Sequence, residues 1–225
     1  MSLGTPRTHL RLTDSTNERA RELAAAGAPH GTLVTATEQT AGRGRQGRRW
    51  SAPAGTALLM SLILREPPRL LPLAAAVAVA SIAGEDARIK WPNDVQVAGR
   101  KVAGILVEGR PQERWAVLGI GLNVAVPLED LPPELHETAG TLGLSRDDVE
   151  PTVERLLHEL EAWLGRDEAA VLEAWRARDA LRGREIRWAG GSGVASGVDD
   201  DGRLLVRLDG GGTAALDAGE VHLRR

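Results

Sequence analysis

The chain has 225 residues, enough for one good-sized core plus a small extra module. Its 42% hydrophobic and 26% charged content is ordinary for a soluble globular protein, and a net charge of −3 argues against a stand-alone nucleic-acid binder. Cysteine is absent, which excludes disulfides, thiolate nucleophiles and zinc–thiolate sites; Phe and Tyr are absent too, so the six Trp are the only aromatic side chains.

Met1 to Arg7 contains no apolar run of signal-peptide length. The longest apolar stretch, Leu70 to Ala83, is interrupted by Pro72 and is too short to span a bilayer, so a cytoplasmic protein is expected. His9 to Thr13 alternates as a short strand. Ser15 to Glu18 has capping-box spacing ahead of a helix that stops near Gly27 and Pro29. Thr32 to Thr37 reads as a β-branched strand, Thr56 to Leu64 as a central strand, and Leu70 to Ala83 as a buried helix. Arg88 to Trp91, Val95 to Val97, Lys101 to Glu108 and Trp115 to Val124 are strands on short links, which pair antiparallel. Helical periods return at Val153 to Leu164 and Ala169 to Trp175, which puts Trp163 and Trp175 in the core. Beyond Arg182, short strands separated by Gly/Asp turns suggest a small barrel, dividing the chain into 1–181 and 182–225. The five His lie far apart, without ligand spacing.

The most telling stretch is Glu38 to Trp50. Gly42, Gly44 and Gly47 free the backbone, while Arg43, Arg45, Arg48 and Arg49 crowd positive charge together. At about 6 Å in water each neighbouring Arg pair repels by roughly 0.7 kcal/mol, so the loop is expected to stay open until an anion gathers it. Trp50 offers a flat surface for a purine. Three readings compete with a phosphate-binding loop. Gly42-x-Gly44-x-x-Gly47 matches the dinucleotide fingerprint, but Pro53 and Gly55 follow where a helix should start. Insertion into a DNA minor groove conflicts with the net charge. A solvated charged loop is the third.

Five segments in order carry a family likeness: Ser15-Thr16-Asn17, Gly42 to Trp50, Lys90-Trp91-Pro92-Asn93-Asp94, Lys101 to Glu108, and Gly119-Ile120-Gly121-Leu122-Asn123. Together they resemble the biotin protein ligases, over nearly the whole chain. The resemblance implies an α+β fold with a mixed, largely antiparallel sheet flanked by helices and an SH3-like C-terminal barrel. It implies ATP-dependent conversion of biotin to biotinyl-5′-AMP, then transfer of the biotinyl group to one lysine of a biotin carboxyl carrier protein. A start so near the ligase core suggests the type without an N-terminal DNA-binding domain. Gln46 departs from the family pattern, where a basic residue is also common.

The resemblance carries roles onto residues. Lys101, opening a small or apolar strand segment, is the expected central cation between carboxylate and α-phosphate, with Arg45 and Arg43 closing over both. Ser15, Thr16 and Gln39 are expected at biotin's ring, Gly104, Leu106 and Gly119 along its tail, and Asn17 and Gly42 elsewhere in the biotin site. Ser15 reads equally as a helix N-cap, and Asn93 and Asp94 as turn residues. Arg48, Arg49, Trp50, Lys90, Asn93, Asp94 and Asn123 are expected at ATP, with Asp94 as a contact for Mg²⁺. Lipoate ligases share this fold and logic and are the nearest alternative. A homodimer is expected if an edge strand such as Trp115 to Val124 pairs across it.

Overall fold

The computed structural model of the chain describes residues 2–217, 219 and 221–223, at 110 and 111 as backbone only. Strand β1 (Arg7–Thr13) leads into α1 (Thr16–Ala25), followed by β2 (Leu33–Gln39), β3 (Ala57–Arg65) and α2 (Leu71–Ala83). A meander of β4 (Arg88–Lys90), β5 (Asp94–Val97), β6 (Arg100–Arg110) and β7 (Trp115–Asn123) comes next, then α3 (Val149–Leu164) and α4 (Glu168–Ala177). These strands form one seven-stranded sheet in the order β1-β2-β3-β7-β6-β5-β4. Only the β1–β2 pair is parallel, because α1 is the one helical crossover between adjacent strands.

The expected edge position of Trp115 to Val124 is overturned. β7 is sandwiched between β3 and β6; the end strands are β1 and β4, and β4 already bonds on its outer side to residues 178–180 through Ile89. Short links specify which strands pair, but β3 returns to fill the far side of β7 from a distance in sequence that a local reading cannot see.

The two sheet faces are covered differently. Ala-rich α2 is buried nearly all round and lies between the sheet and α3 with α4; Trp175, fully buried, completes this main core, while Trp163 is only half-buried against it. On the opposite face α1 packs Ala20 and Ala24 against Val34, Ile63, Trp115 and Val117.

The C-terminal strands β8 (Glu185–Trp188), β9 (Gly191–Val198), β10 (Leu204–Leu208), β11 (Thr213–Leu216) and β12 (His222–Leu223) form a five-stranded antiparallel sheet, ordered β11-β10-β9-β8-β12. Among the described residues β11 and β12 do not pair to close it into a barrel. This sheet is fastened by its β9–β10 turn. Trp91 Nε1 donates to the Gly202 carbonyl at 3.1 Å, Arg69 reaches Asp201, and Arg176 Nη2 reaches Asp200 Oδ1 at 3.1 Å. Among the described residues no helix is long and apolar enough to cross a membrane.

Candidate active site

Alternation along β7 explains where the site opens. On the α1 face its residues run Trp115, Val117, Gly119, Gly121, Asn123. The first two are bulky and packed against α1; the next two have no side chain, and there a cavity of about 450 Å³ opens. Ser15, Thr16, Asn17, Gln39, Arg43, Arg45, Arg48, Arg49, Trp50, Lys90, Asn93, Asp94, Lys101, Gly104, Leu106, Gly119 and Asn123 all border it. Gly42 does not border it. It packs behind the wall, where an added Cβ would lie 2.5 Å from the Trp50 carbonyl and 2.9 Å from Gln39 Nε2.

A buried polar row crosses the end of α1. Ser15 has the extended backbone of an N-cap, but its side chain makes no cap hydrogen bond, so the Ser15–Glu18 capping box does not form. The cap acceptor comes from β2 instead: Gln39 Oε1 accepts from Thr16 N at 2.7 Å and from Thr16 Oγ1 at 3.1 Å. Just before Ser15, the Asp14 carboxyl is held below its usual range by the Ser15 N–H and then the Thr13 hydroxyl. Ser61, from the middle of β3, lies 2.8 Å from Thr16 Oγ1 and 2.6 Å from Asn17 Oδ1. Asn17 Nδ2 donates to Glu108 Oε2 at 2.9 Å. Gly119 is what lets Asn17 in, because a Cβ there would overlap its amide oxygen.

Trp50 forms the neighbouring floor. Gly104 and Gly121 face each other across β6 and β7, and the indole lies over the bare patch they make. A Cβ at Gly121 would sit 2.5 Å from the ring and one at Gly104 3.0 Å from it. Gly121→Ala is therefore expected to lift Trp50 off the sheet, at a cost of roughly 1–3 kcal/mol, as for other overpacked sites. A lowered melting temperature with altered Trp fluorescence checks this; both unchanged would show that the indole is not seated there.

Lys101 reaches the same floor through a bulge. Val95 pairs with Ala103 but Gln96 pairs with Lys101, which leaves Val102 unopposed. That extra residue turns Lys101 to the face of Gly104, three residues on, where strict alternation would have opposed them. Lys101 Nζ lies 2.6 Å from Asp94 Oδ1 and 5.7 Å from the Trp50 ring centroid, within cation–π range. Asp94 opens β5 rather than closing the preceding turn.

The Arg/Gly stretch is folded as a small hairpin, not left open. Arg43 and Arg49 bridge across it, Trp50 N donates to the Gly42 carbonyl at 2.9 Å, and Gly44 N to the Arg48 carbonyl at 2.7 Å. Its tip runs through Gln46 with φ 56° and Gly47 with φ 74°. Sequence alone counted the arginine repulsion and missed the counter-charges. Arg43 Nη1 donates to Glu18 Oε2 at 2.7 Å and its Nη2 lies 3.0 Å from Glu108 Oε1. Arg45, by contrast, forms no ion pair among the described residues. Burial first, and Arg48 second, push its guanidinium below the usual Arg value, with Asp94 acting the other way.

Lys90 sits half-buried on β4 across from Asp94. Asn93 spends its amide on β6, donating to the Ile105 carbonyl at 3.0 Å. Asn123 Nδ2 donates to the Gly140 carbonyl at 2.8 Å, while its buried Oδ1 and the Trp50 Nε1 have no partner among the described residues. The 131–139 segment and His222 of the C-terminal sheet also border the cavity. Among the described residues no three His, Cys, Asp or Glu converge as a metal site. Sequence reasoning missed Ser61, although a single hydroxyl inside the apolar run Ala57–Leu64 was a usable signal. In sequence Glu18 reads only as the capping-box partner of Ser15, and Glu108 has no partner at all.

Residues 9–124 match the biotin/lipoate A/B protein ligase family, and residues 183–224 match the biotin protein ligase C-terminal domain. The biotin--[acetyl-CoA-carboxylase] ligase of Mycobacterium tuberculosis is 36% identical over 94% of this chain and 87% of its own. The bifunctional ligase/repressor of Bacillus subtilis is 36% identical over 88% of this chain and 68% of its own. A biotin protein ligase from Aquifex aeolicus, solved with biotin and ATP, superposes with a TM-score of 0.77 at 28% identity, covering 98% of this chain and 99% of that one. The chain belongs to the biotin protein ligase family.

Proposed function

We propose that the chain is a biotin--[acetyl-CoA-carboxylase] ligase, working in the cytoplasm where ATP is supplied. The observation that carries this is one cavity with two chemistries side by side. A buried hydroxyl and amide row ends a glycine-floored slot, and next to it stand Lys101, over the Trp50 indole, and Arg45 on the cavity wall.

Biotin's ureido ring needs donors and acceptors where water is excluded, and its tail needs an apolar slot. Ser15, with no helix-capping bond to make, offers its hydroxyl to the ring beside Thr16, Asn17 and Gln39. Gly104, Leu106 and Gly119 receive the tail and lead its carboxylate towards Lys101. Adenine lies on Trp50. Asn123 Oδ1 is fixed as an acceptor by the bond its amide makes to Gly140, which suits the exocyclic amine of adenine.

In the first step a biotin carboxylate oxygen bonds to the α-phosphorus of ATP, the bond from that phosphorus to the bridging oxygen breaks, and pyrophosphate leaves. Lys101 and Arg45 offset the repulsion between the two anions, and Arg43, Arg48, Arg49 and Lys90 add positive potential around the triphosphate. Magnesium bound with the nucleotide would supply charge neutralisation at the phosphates. Asp94 is the residue that would hold it, through a hard carboxylate oxygen. In the second step a carrier lysine amine attacks the biotinyl carbonyl carbon, AMP leaves with the electron pair of the broken C–O bond, and the amine loses its proton. Residues 1–181 hold both reactions, and 182–225 form the appended module.

Pyrophosphate exchange into ATP, measured with biotin and lipoate side by side, tests this. Exchange should favour biotin by roughly a hundredfold or more, since the polar row has no partner in lipoate. Equal exchange with lipoate, or none with biotin, refutes it.

A further inference from the structure

Two parts of the site that do not touch are joined by one carboxylate. Asn17 is 4% exposed and lies on the slot floor, locked against Ser61 and over Gly119. Arg43 is at the root of the arginine hairpin, with its side chain 43% exposed. Glu108 stands between them on β6, two residues beyond Leu106 and therefore on the same face. Its Oε2 accepts from Asn17 Nδ2 at 2.9 Å, and its Oε1 holds Arg43 Nη2 at 3.0 Å. Arg43 then passes its other nitrogen to Glu18, the residue after Asn17 on α1, which closes a ring of contacts.

We propose that Glu108 is a positioning residue through which occupancy of the slot sets the arginine hairpin. The inference rests on the biotin ligase reading above. A ligand that fixes the Asn17 amide fixes the Glu108 carboxylate, and the carboxylate fixes Arg43 at the point where the hairpin leaves the sheet. Only an ionised carboxylate accepts from both donors at once; a Gln would turn an NH₂ towards one of them. Because the Asn17 bond is charge-assisted and shielded on the Asn17 side, it transmits position rather than yielding to water.

Glu108→Gln in the full-length chain tests this by two readouts. One is the ratio of free to enzyme-bound biotinyl-AMP during turnover without acceptor. The other is tryptic cleavage at the hairpin arginines with and without added biotinyl-AMP. The ratio is expected to rise roughly tenfold, the loss of one charge-assisted hydrogen bond, and ligand protection against trypsin should vanish. Arg43→Gln should give the same loss, and the double variant no more than either. Wild-type retention and protection in Glu108→Gln, or losses that multiply in the double variant, overturn the proposal. Should Glu108→Gln fail to fold, Asn17→Ser and Arg43→Gln break the same two bonds singly. Matching release from both supports the link, and release from only one refutes it. Failure of the parent reading looks different: the wild-type protein itself would then show no biotin-dependent exchange.

Discussion

Replacing Lys101 by Ala is expected to lower biotin-dependent pyrophosphate exchange by roughly 10²–10³-fold, the usual result of deleting one preorganised charge from a reacting centre. Three observations set the size. The bulge at Val102 places this amine on the cavity face, so no neighbouring side chain replaces it. A cation about 3 Å from an anion gains roughly 5 kcal/mol at an effective dielectric of 20 before desolvation, more than any single neutral contact supplies. Removal also leaves Asp94 without its 2.6 Å partner, a bare carboxylate facing incoming phosphates. Lys101→Arg keeps the charge on a longer, forked group and should recover only part of the rate. Near-normal exchange in Lys101→Ala would remove this residue from the mechanism.

Arg45→Gly is expected to fail differently. The variant should still form biotinyl-AMP but release it roughly 10²-fold more readily, as loss of a desolvated ionic contact implies. Arg45 is partly buried, forms no direct ion pair among the described residues, and is pushed down by burial and by Arg48, with Asp94 offsetting this only in part. A phosphate arriving beside it offsets that cost, so the hairpin closes tightest on the charged intermediate. Arg43 already has Glu18 and Glu108 as partners, so it anchors the hairpin more than it seals it. Free biotinyl-AMP assayed against labelling of the carrier protein measures the difference. Retention equal to wild type would refute the sealing role.

Much of the site was legible because its chemistry is local in sequence. The arginine stretch, the Lys90–Asp94 turn and the Lys101 and Gly119 segments each carry their side chains together, and the cavity gathers them. What was illegible depends on neighbours that sequence does not name. Period-two alternation assigned faces to β7 but not its partners, so a central strand read as an edge. The same alternation gave no sign of the unopposed Val102 that aims Lys101. Ser15 has cap chemistry at a cap position, yet its hydroxyl makes no cap bond, and the Thr16 N–H at the helix start is met instead by Gln39 from β2. Counting charge within the loop predicted repulsion; Glu18 and Glu108, distant in sequence, reverse the sign for Arg43. Gly104 read only as a slot wall and Gly121 only as part of a motif; their register shows that they also jointly seat Trp50.

The central idea is that one pocket recognises biotin and nucleotide as a joined molecule and that the hairpin grips the join. Titration calorimetry with biotin and then with biotinyl-AMP addresses it directly. The account predicts one site for each, with biotinyl-AMP bound at least about a hundredfold tighter than biotin, a gap of ~2.7 kcal/mol that Arg45→Gly largely erases. Equal affinities for the two ligands, or a gap untouched by Arg45→Gly, would contradict it.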